Sequence, residues 1–143
     1  MEGRLKRNSF IKPLSNPEKI LALVFSSGSA FRLNASSGAI KYLEEKNIGH
    51  QTYFAKVPLV CISCIYDLGY KSSKIKPDEK MGYDACLDSA KNIIKEGNIS
   101  AGCGATVGKL NGMDQCQKAG LGIYAVEIGG IKVGAIFNGK REK

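Results

Sequence analysis

Histidine is nearly missing from this 143-residue chain: His50 is the only one. A Ser-His-Asp site would have to be built on that single residue. It lies in a polar linker, where a surface histidine is the ordinary outcome. A zinc site needs four ligands, and one histidine with a single Cys-x-x-Cys (Cys61 to Cys64) does not supply them. Long hydrophobic runs are missing as well. The run Ile20-Leu-Ala-Leu-Val-Phe25 is too short for a membrane-spanning helix or a signal-peptide core. No membrane partner is therefore expected, and the expected location is cytoplasmic. Aromatic residues are not interleaved with Lys and Arg along the body of the chain, so a nucleic-acid groove is not expected.

What is present is the composition of an ordinary soluble domain, 43% hydrophobic and 24% charged, which excludes wholesale disorder and fibrous repeats. The formal charge is +8. Five of those eight excess charges fall in residues 1–19 and 140–143, so the charge reads as solvated basic ends. Five cysteines, an odd number in apolar surroundings, argue against a disulfide framework and for buried structural thiols. Glycine is concentrated late: eleven of seventeen lie between Gly97 and Gly139, where tight turns or close backbone approach are required.

The periodicity gives a mixed α/β (α+β) chain of one domain over residues 19–139, with a basic, poorly ordered tail at 1–18 and a basic tail at 140–143. Lys19–Ser26 suits a buried strand. A helix is expected from about Ala30 to Lys46, with Gly38 inside it for close packing. Val57–Tyr66 is a second strand, and Lys71–Lys76 a basic loop. Pro77, Asp78 and Glu79 open a second helix, which is expected to run to about Glu96 and stop at Gly97. Its small-residue face (Gly82, Cys86, Ala90, Ile93, Ile94) implies a helix lying close against a sheet. Gly129-Gly130 between the apolar runs Gly122–Ile128 and Ile131–Phe137 is a hairpin signal, because the favoured two-residue turns need positive φ. The acidic pairs Glu44-Glu45 and Asp78-Glu79 look like solvated faces.

The glycine loop Asn98-Ile-Ser-Ala-Gly-Cys-Gly-Ala-Thr-Val-Gly-Lys109 has look-alikes that fail on spacing. In a phosphate-binding loop Cys103 would occupy the first glycine position and Leu110 the place of the magnesium-binding hydroxyl. The dinucleotide fingerprint lacks its third glycine.

Six ordered blocks carry a resemblance. They are Ile20–Phe31; Ala35–Gly38 with Tyr42–Glu45; Val57–Val60 with Ile65–Leu68; Lys76–Asp78 with Gly82-Tyr83 and Ala85-Cys86; Gly97-Asn98 with Ala101-Gly102 and Gly104–Leu110; and Gly120–Gly122 with Val133–Ala135. Together they resemble the L-aminopeptidase/D-esterase family, the DmpA-like peptidases, over residues 19–138. The blocks fit it better than the related ornithine/glutamate N-acetyltransferases, whose nucleophile is a Thr. The resemblance implies part of a four-layer αββα sandwich of the DmpA/ArgJ-like type. It implies a serine hydrolase whose nucleophile is an N-terminal Ser freed by self-cleavage, with that residue's own amine as base. Such chemistry requires no His and calls for no metal and no organic cofactor. The substrates implied are peptides and amino-acid amides or esters, from which an N-terminal amino acid is released.

By position the resemblance carries the family's oxyanion-stabilising Tyr and Asn to Tyr66 and Asn138. It covers only the later part of the family's α-chain, and the nucleophile Ser is absent from residues 1–143. The chain is therefore expected to be incomplete and inert alone, to need the nucleophile-bearing chain and a family-type oligomer, and to leave sheet edges and one apolar face without partners. The alternatives are half of a two-chain enzyme and a non-catalytic basic binding protein that reuses the half-fold. Two positions depart from the family: Ser27 and Arg32 stand where it has glycine. At the glycine loop the resemblance implies a turn packed where no Cβ fits, and small residues at Cys61 and Cys64 agree with buried thiols.

Overall fold

The computed structural model describes residues 19–70, 72–74 and 77–141. The expected tail at 1–18 and part of the basic loop lie outside the described residues. Strand β1 (Ala22–Ser26) pairs in parallel with β4 (Val60–Cys64), Ala22 opposite Val60 and Ser26 opposite Cys64. The crossover between them carries helix α1 (Ala35–Glu45). A small antiparallel hairpin, β2 (His50–Gln51) with β3 (Lys56–Val57), follows the helix, and His50 is exposed on it. A crossover that carries a helix is the ordinary way to join two parallel strands. Alternation along β1 and β4 places Ala22, Val24 and Val60 on one face, and α1 covers that face with Ala39 and Leu43.

The first helical segment is split. A 3-10 turn at Ser29–Arg32 comes first, and α1 begins only at Ala35. Helix α2 (Glu79–Ser89) starts where the sequence signals it, with the Asp78 side chain accepting from the Met81 N–H at 2.9 Å. It ends seven residues earlier than the sequence reading placed it. Asn92 turns into the left-handed region (φ 53°), and Asp88 draws Lys91 and Lys95 back at 3.1 and 3.0 Å. Ile93 and Ile94 consequently lie outside the helix, exposed.

The partner of α2 also differs from expectation: its small face meets helix α1 rather than a sheet. A Cβ on Gly82 would stand 1.9 Å from the Ala35 carbonyl oxygen, and one on Gly38 would stand 1.9 Å from that of Glu79. Each helix thus presents a glycine to the other's backbone. Tyr42 and Tyr83 meet edge to face at 5.6 Å beside this contact, and the Tyr83 hydroxyl donates to Glu45 at 2.5 Å.

The last third is a three-stranded antiparallel sheet in the order β5–β6–β7: β5 (Thr106–Val107), β6 (Gln117–Ile128) and β7 (Ile131–Arg141). Gly129 (φ 59°) and Gly130 (φ 81°) make the two-residue turn between β6 and β7. β7 runs through Arg141, into the stretch read from sequence as a basic tail. Helices and strands are thus mixed in one chain.

Gly38→Ala and Gly82→Ala should each lower the unfolding free energy by about 2 kcal/mol or more, although alanine favours an isolated helix by ~1 kcal/mol. Urea denaturation measures this; a stabilised variant would show that the helices part without cost.

Candidate functional site

The C-terminal ends of β1 and β4 lie side by side, and the chain leaves each through a turn. Backbone bonds lock the two exits together: the Ile65 N–H donates to the Ser26 carbonyl at 2.9 Å, and the Ser29 N–H donates to that of Ile65 at 2.8 Å. Ends of parallel strands are where α/β layers commonly gather polar groups. Here they gather Tyr66, Asp67, Gly28 and Arg32.

Asp67 is the hub of this group. Its carboxylate accepts the Gly28 N–H at 2.5 Å. Its other oxygen fills the space a Cβ on Gly104 would need, 1.7 Å away, so the glycine loop closes directly over it. Gly28 holds φ +83°, and the Arg32 side chain folds over it, with Nε 2.1 Å from where a Cβ would stand. Arg32 is only 1% exposed. Burial pushes its guanidinium below the ordinary range, and the negative charge of Asp67 acts in the opposite direction. Arg32 thus brings a buried charge into the turn, and Asp67 lies within its electrostatic reach. The sequence carries no signal for this pair: Arg32 is a departure from the resembled pattern and Asp67 belongs to a matching block.

The glycine loop is packed, as the resemblance implied. Ser100–Gly104 forms a 3-10 turn in which Ala101, Gly102 and Gly104 are buried. A Cβ on Gly102 would meet the Gly97 carbonyl oxygen at 2.4 Å and the Leu121 nitrogen at 2.6 Å. Lys118 closes the turn from β6. Its ammonium donates to the carbonyls of Gly102 (2.7 Å), Ala105 (3.3 Å) and Ala119, and lies 6.0 Å from the centre of the Tyr70 ring.

The two residues carried over by resemblance occupy different settings. Tyr66 directly precedes Asp67, and its ring is 71% exposed. Asn138 lies on β7 opposite Leu121, beside the register shift at Gly120/Leu121. Its amide nitrogen and oxygen are both buried, and neither has a hydrogen-bond partner among the described residues. It borders a cavity of about 410 Å³ together with Val107, Phe137 and Gly139; Tyr66 is not among the lining residues. A buried amide without a partner is costly. A second cleft of about 650 Å³ opens between β1, α2 and the glycine loop, lined in part by Val24, Phe25, Met81, Ala85 and Cys103.

The cysteines divide. Cys61 is buried, and Cys64, Cys86 and Cys116 are partly buried; burial pushes the Cys61 and Cys86 thiols up. Cys103 corrects the expectation of uniformly buried thiols. It is exposed, with its sulfur 3.0 Å from the Asn98 carbonyl oxygen, because flanking Gly102 and Gly104 face inward and turn it out. Four body lysines are matched by carboxylates: Lys80 with Asp84 (2.6 Å), Lys91 and Lys95 with Asp88, and Lys132 with Glu127 (3.8 Å). No described helix is long and apolar enough to cross a membrane.

No family model matches the chain. It is similar to the 6-aminohexanoate-oligomer endohydrolase of Paenarthrobacter ureafaciens, 28% identical over 115 residues that cover 80% of this chain and 32% of that protein. It is likewise similar to an uncharacterized aminopeptidase of Mycobacterium leprae, 28% identical over 139 residues, covering 92% of this chain and 36% of the relative. An uncharacterized aminopeptidase of Mycobacterium tuberculosis is 28% identical over 107 residues, 75% of this chain and 31% of the relative. The chain spans about a third of the length of the curated relatives it matches. Their names are those of peptidases and hydrolases.

Asp67→Ala should cost about 3 kcal/mol, because it strips the buried Arg32 of a countercharge and the Gly28 N–H of its acceptor. A loss under ~1 kcal/mol in urea would show that the pair is screened like a surface one. With an aromatic disulfide reagent at neutral pH, Cys103 should react first, and Cys103→Ser should remove the fast phase while slower thiols persist. An unchanged fast phase in that variant would place the reactive thiol elsewhere.

Proposed function

We propose that this chain is part of an amide-bond hydrolase of the DmpA-like aminopeptidase type, built as a portion of a four-layer αββα sandwich. The observation that carries this reading is the similarity to proteins named as aminopeptidases and an oligomer endohydrolase over three-quarters or more of the chain. The buried amide of Asn138, without a partner among the described residues and beside a cavity, supports it. In this reading a Ser hydroxyl from outside residues 1–143 attacks the scissile carbonyl, and its proton passes to the free α-amine of the same residue. The tetrahedral oxyanion then accepts from the Asn138 amide N–H and the Tyr66 hydroxyl. Collapse expels the amine, which takes that proton, and water releases the acyl group in a second step. The exposed position of Tyr66 suits a residue that meets its partner groups only once the nucleophile-bearing portion is in place. No histidine, metal or organic cofactor enters this scheme.

The nucleophile-bearing portion comes either from more of the same polypeptide or from a second chain; both arrangements leave the roles of Tyr66 and Asn138 the same. The alternative of a basic binding protein is less favoured, since four body lysines are engaged by carboxylates and Lys118 by carbonyls.

Residues 1–143 alone should not hydrolyse amino-acid anilides, and co-expression with a nucleophile-bearing portion should restore hydrolysis. In the restored enzyme Asn138→Ala should lower kcat about 100-fold with a smaller change in KM. Turnover by the 143-residue chain alone would overturn the external nucleophile. A soluble complex without any amidase or esterase activity would overturn the hydrolase reading.

A further inference from the structure

Lys80, Lys91, Lys95 and Lys132 meet carboxylates at the surface. Lys118 behaves otherwise. It is partly buried, and among the described residues it forms no ion pair. An ammonium has three N–H donors and no acceptor. Three backbone carbonyl oxygens converge on this one, those of Gly102 at 2.7 Å, Ala105 at 3.3 Å and Ala119. Two of them also serve the backbone: Gly102 accepts the Ala105 N–H at 3.2 Å, and Ala105 accepts the Ala119 N–H at 2.9 Å. A carbonyl oxygen carries two lone pairs, so each can serve the ammonium as well. The Tyr70 ring adds its electron-rich face, with Nζ over it at 6.0 Å from the centre. The groups come from three segments. Gly102 and Ala105 belong to the glycine loop, Ala119 to β6, and Tyr70 to the turn after β4, where its N–H donates to the Asp67 carbonyl at 2.9 Å. The ammonium is where those segments meet.

We propose that the carbonyls of Gly102, Ala105 and Ala119 form a monovalent-cation site of the potassium or ammonium type, which the chain fills with its own Lys118 ammonium. Convergent neutral carbonyls are the groups that replace the water shell of a potassium ion. Calcium calls for about six to eight oxygens, carboxylates commonly among them, at about 2.3–2.6 Å. This cage offers three carbonyls and no carboxylate, so it suits a larger cation of single charge. Covalent tethering makes its occupancy independent of the ions in solution, because the cation is supplied at a high effective concentration. The glycine loop is thereby anchored on β6 whatever the salt. Taking the lysine away should uncover the site, and a free cation of matching size should then enter it. This role lies apart from the proposed hydrolysis, and its test reads stability and ion binding rather than turnover.

The test compares the full 143-residue chain with Lys118→Ala and Lys118→Met, by urea denaturation at one ionic strength. The salts are potassium chloride, ammonium chloride and choline chloride, whose cation is too bulky to enter the cage. The unsubstituted chain should be indifferent to the choice of cation, its site being filled. Lys118→Ala should be destabilised in choline. Potassium or ammonium at about ten times its dissociation constant should then raise its folding equilibrium constant about tenfold. Lys118→Met keeps an apolar stem in the channel, so it should lose stability without recovering any. A crystal of Lys118→Ala soaked in rubidium chloride should show the ion bonded to the Gly102, Ala105 and Ala119 carbonyls. The proposal is overturned if Lys118→Ala is equally stable in all three salts, as when water alone fills the cage. A potassium response of equal size in the unsubstituted chain, or in Lys118→Met, would place the ion elsewhere and overturn it too. If Lys118→Ala folds in none of the salts, nitrogen-detected NMR of the unsubstituted chain decides. Slowly exchanging Lys118 ammonium protons at neutral pH, with contacts to the glycine loop, are expected; exchange as fast as at exposed Lys132 would sink the cage.

Discussion

Gly38 and Gly82 set the separation of the two helices, and that separation decides much of what surrounds them. With each glycine pressed against the other helix's backbone, α1 and α2 approach more closely than any Cβ would allow. Close backbone packing of this kind has a particular importance here, because the buried cluster between α1 and the parallel strands is small: Ala39, Leu43 and Val60 are its centre. The same device recurs at the glycine loop, where Gly102 and Gly120 lie against Gly97. Cohesion therefore comes from main chain packed on main chain, which gains dispersion contacts at little side-chain entropy cost. It also leaves large apolar side chains outside, on β1, after α2 and along the hairpin.

The polar hub at the strand ends follows from that packing. Because the glycine loop closes onto the chain just after β4, Asp67 is partly buried against Gly104, and a carboxylate drawn from water needs donors and a countercharge. Gly28 supplies an N–H, and the buried Arg32 supplies positive charge nearby. Tyr66 and Asp67 are neighbours in sequence with opposite circumstances. The aspartate is committed to the turn, while the tyrosine ring stands in the open beside it, available to whatever approaches that end of the sheet.

Much of the architecture was legible in the sequence. Gly129-Gly130 between two β-branched runs announced the hairpin, and Pro77 with Asp78 announced the start of α2. The end of α2 was not legible, since Ala90 to Ile94 continue an acceptable helical pattern. What stops the helix is the left-handed turn at Asn92 and the pull of Asp88 on Lys91 and Lys95, which propensity does not register. The small-residue face of α2 was recognised correctly as a close contact, but a stripe of small residues does not say whether it meets a sheet or a helix. Cysteine burial was read from residue type. Cys103 broke the rule because its two glycine neighbours took the interior positions. Of the candidate site, Tyr66 and Asn138 came from block resemblance alone, and periodicity pointed to neither.

The sequence by itself determined the order of the main strands and helices, the hairpin turn, the places where a side chain could not fit, and a block-by-block likeness to one type of hydrolase. These are local properties, written in spacing and residue type. Tertiary structure decided which backbone each glycine touches, that the buried Arg32 lies near Asp67, that the Asn138 amide is buried without a partner among the described residues, and that one face of the hairpin is left open. Those depend on contacts between residues far apart in the chain, where the cost of burying a charge or exposing an apolar face is settled only once the pieces are packed.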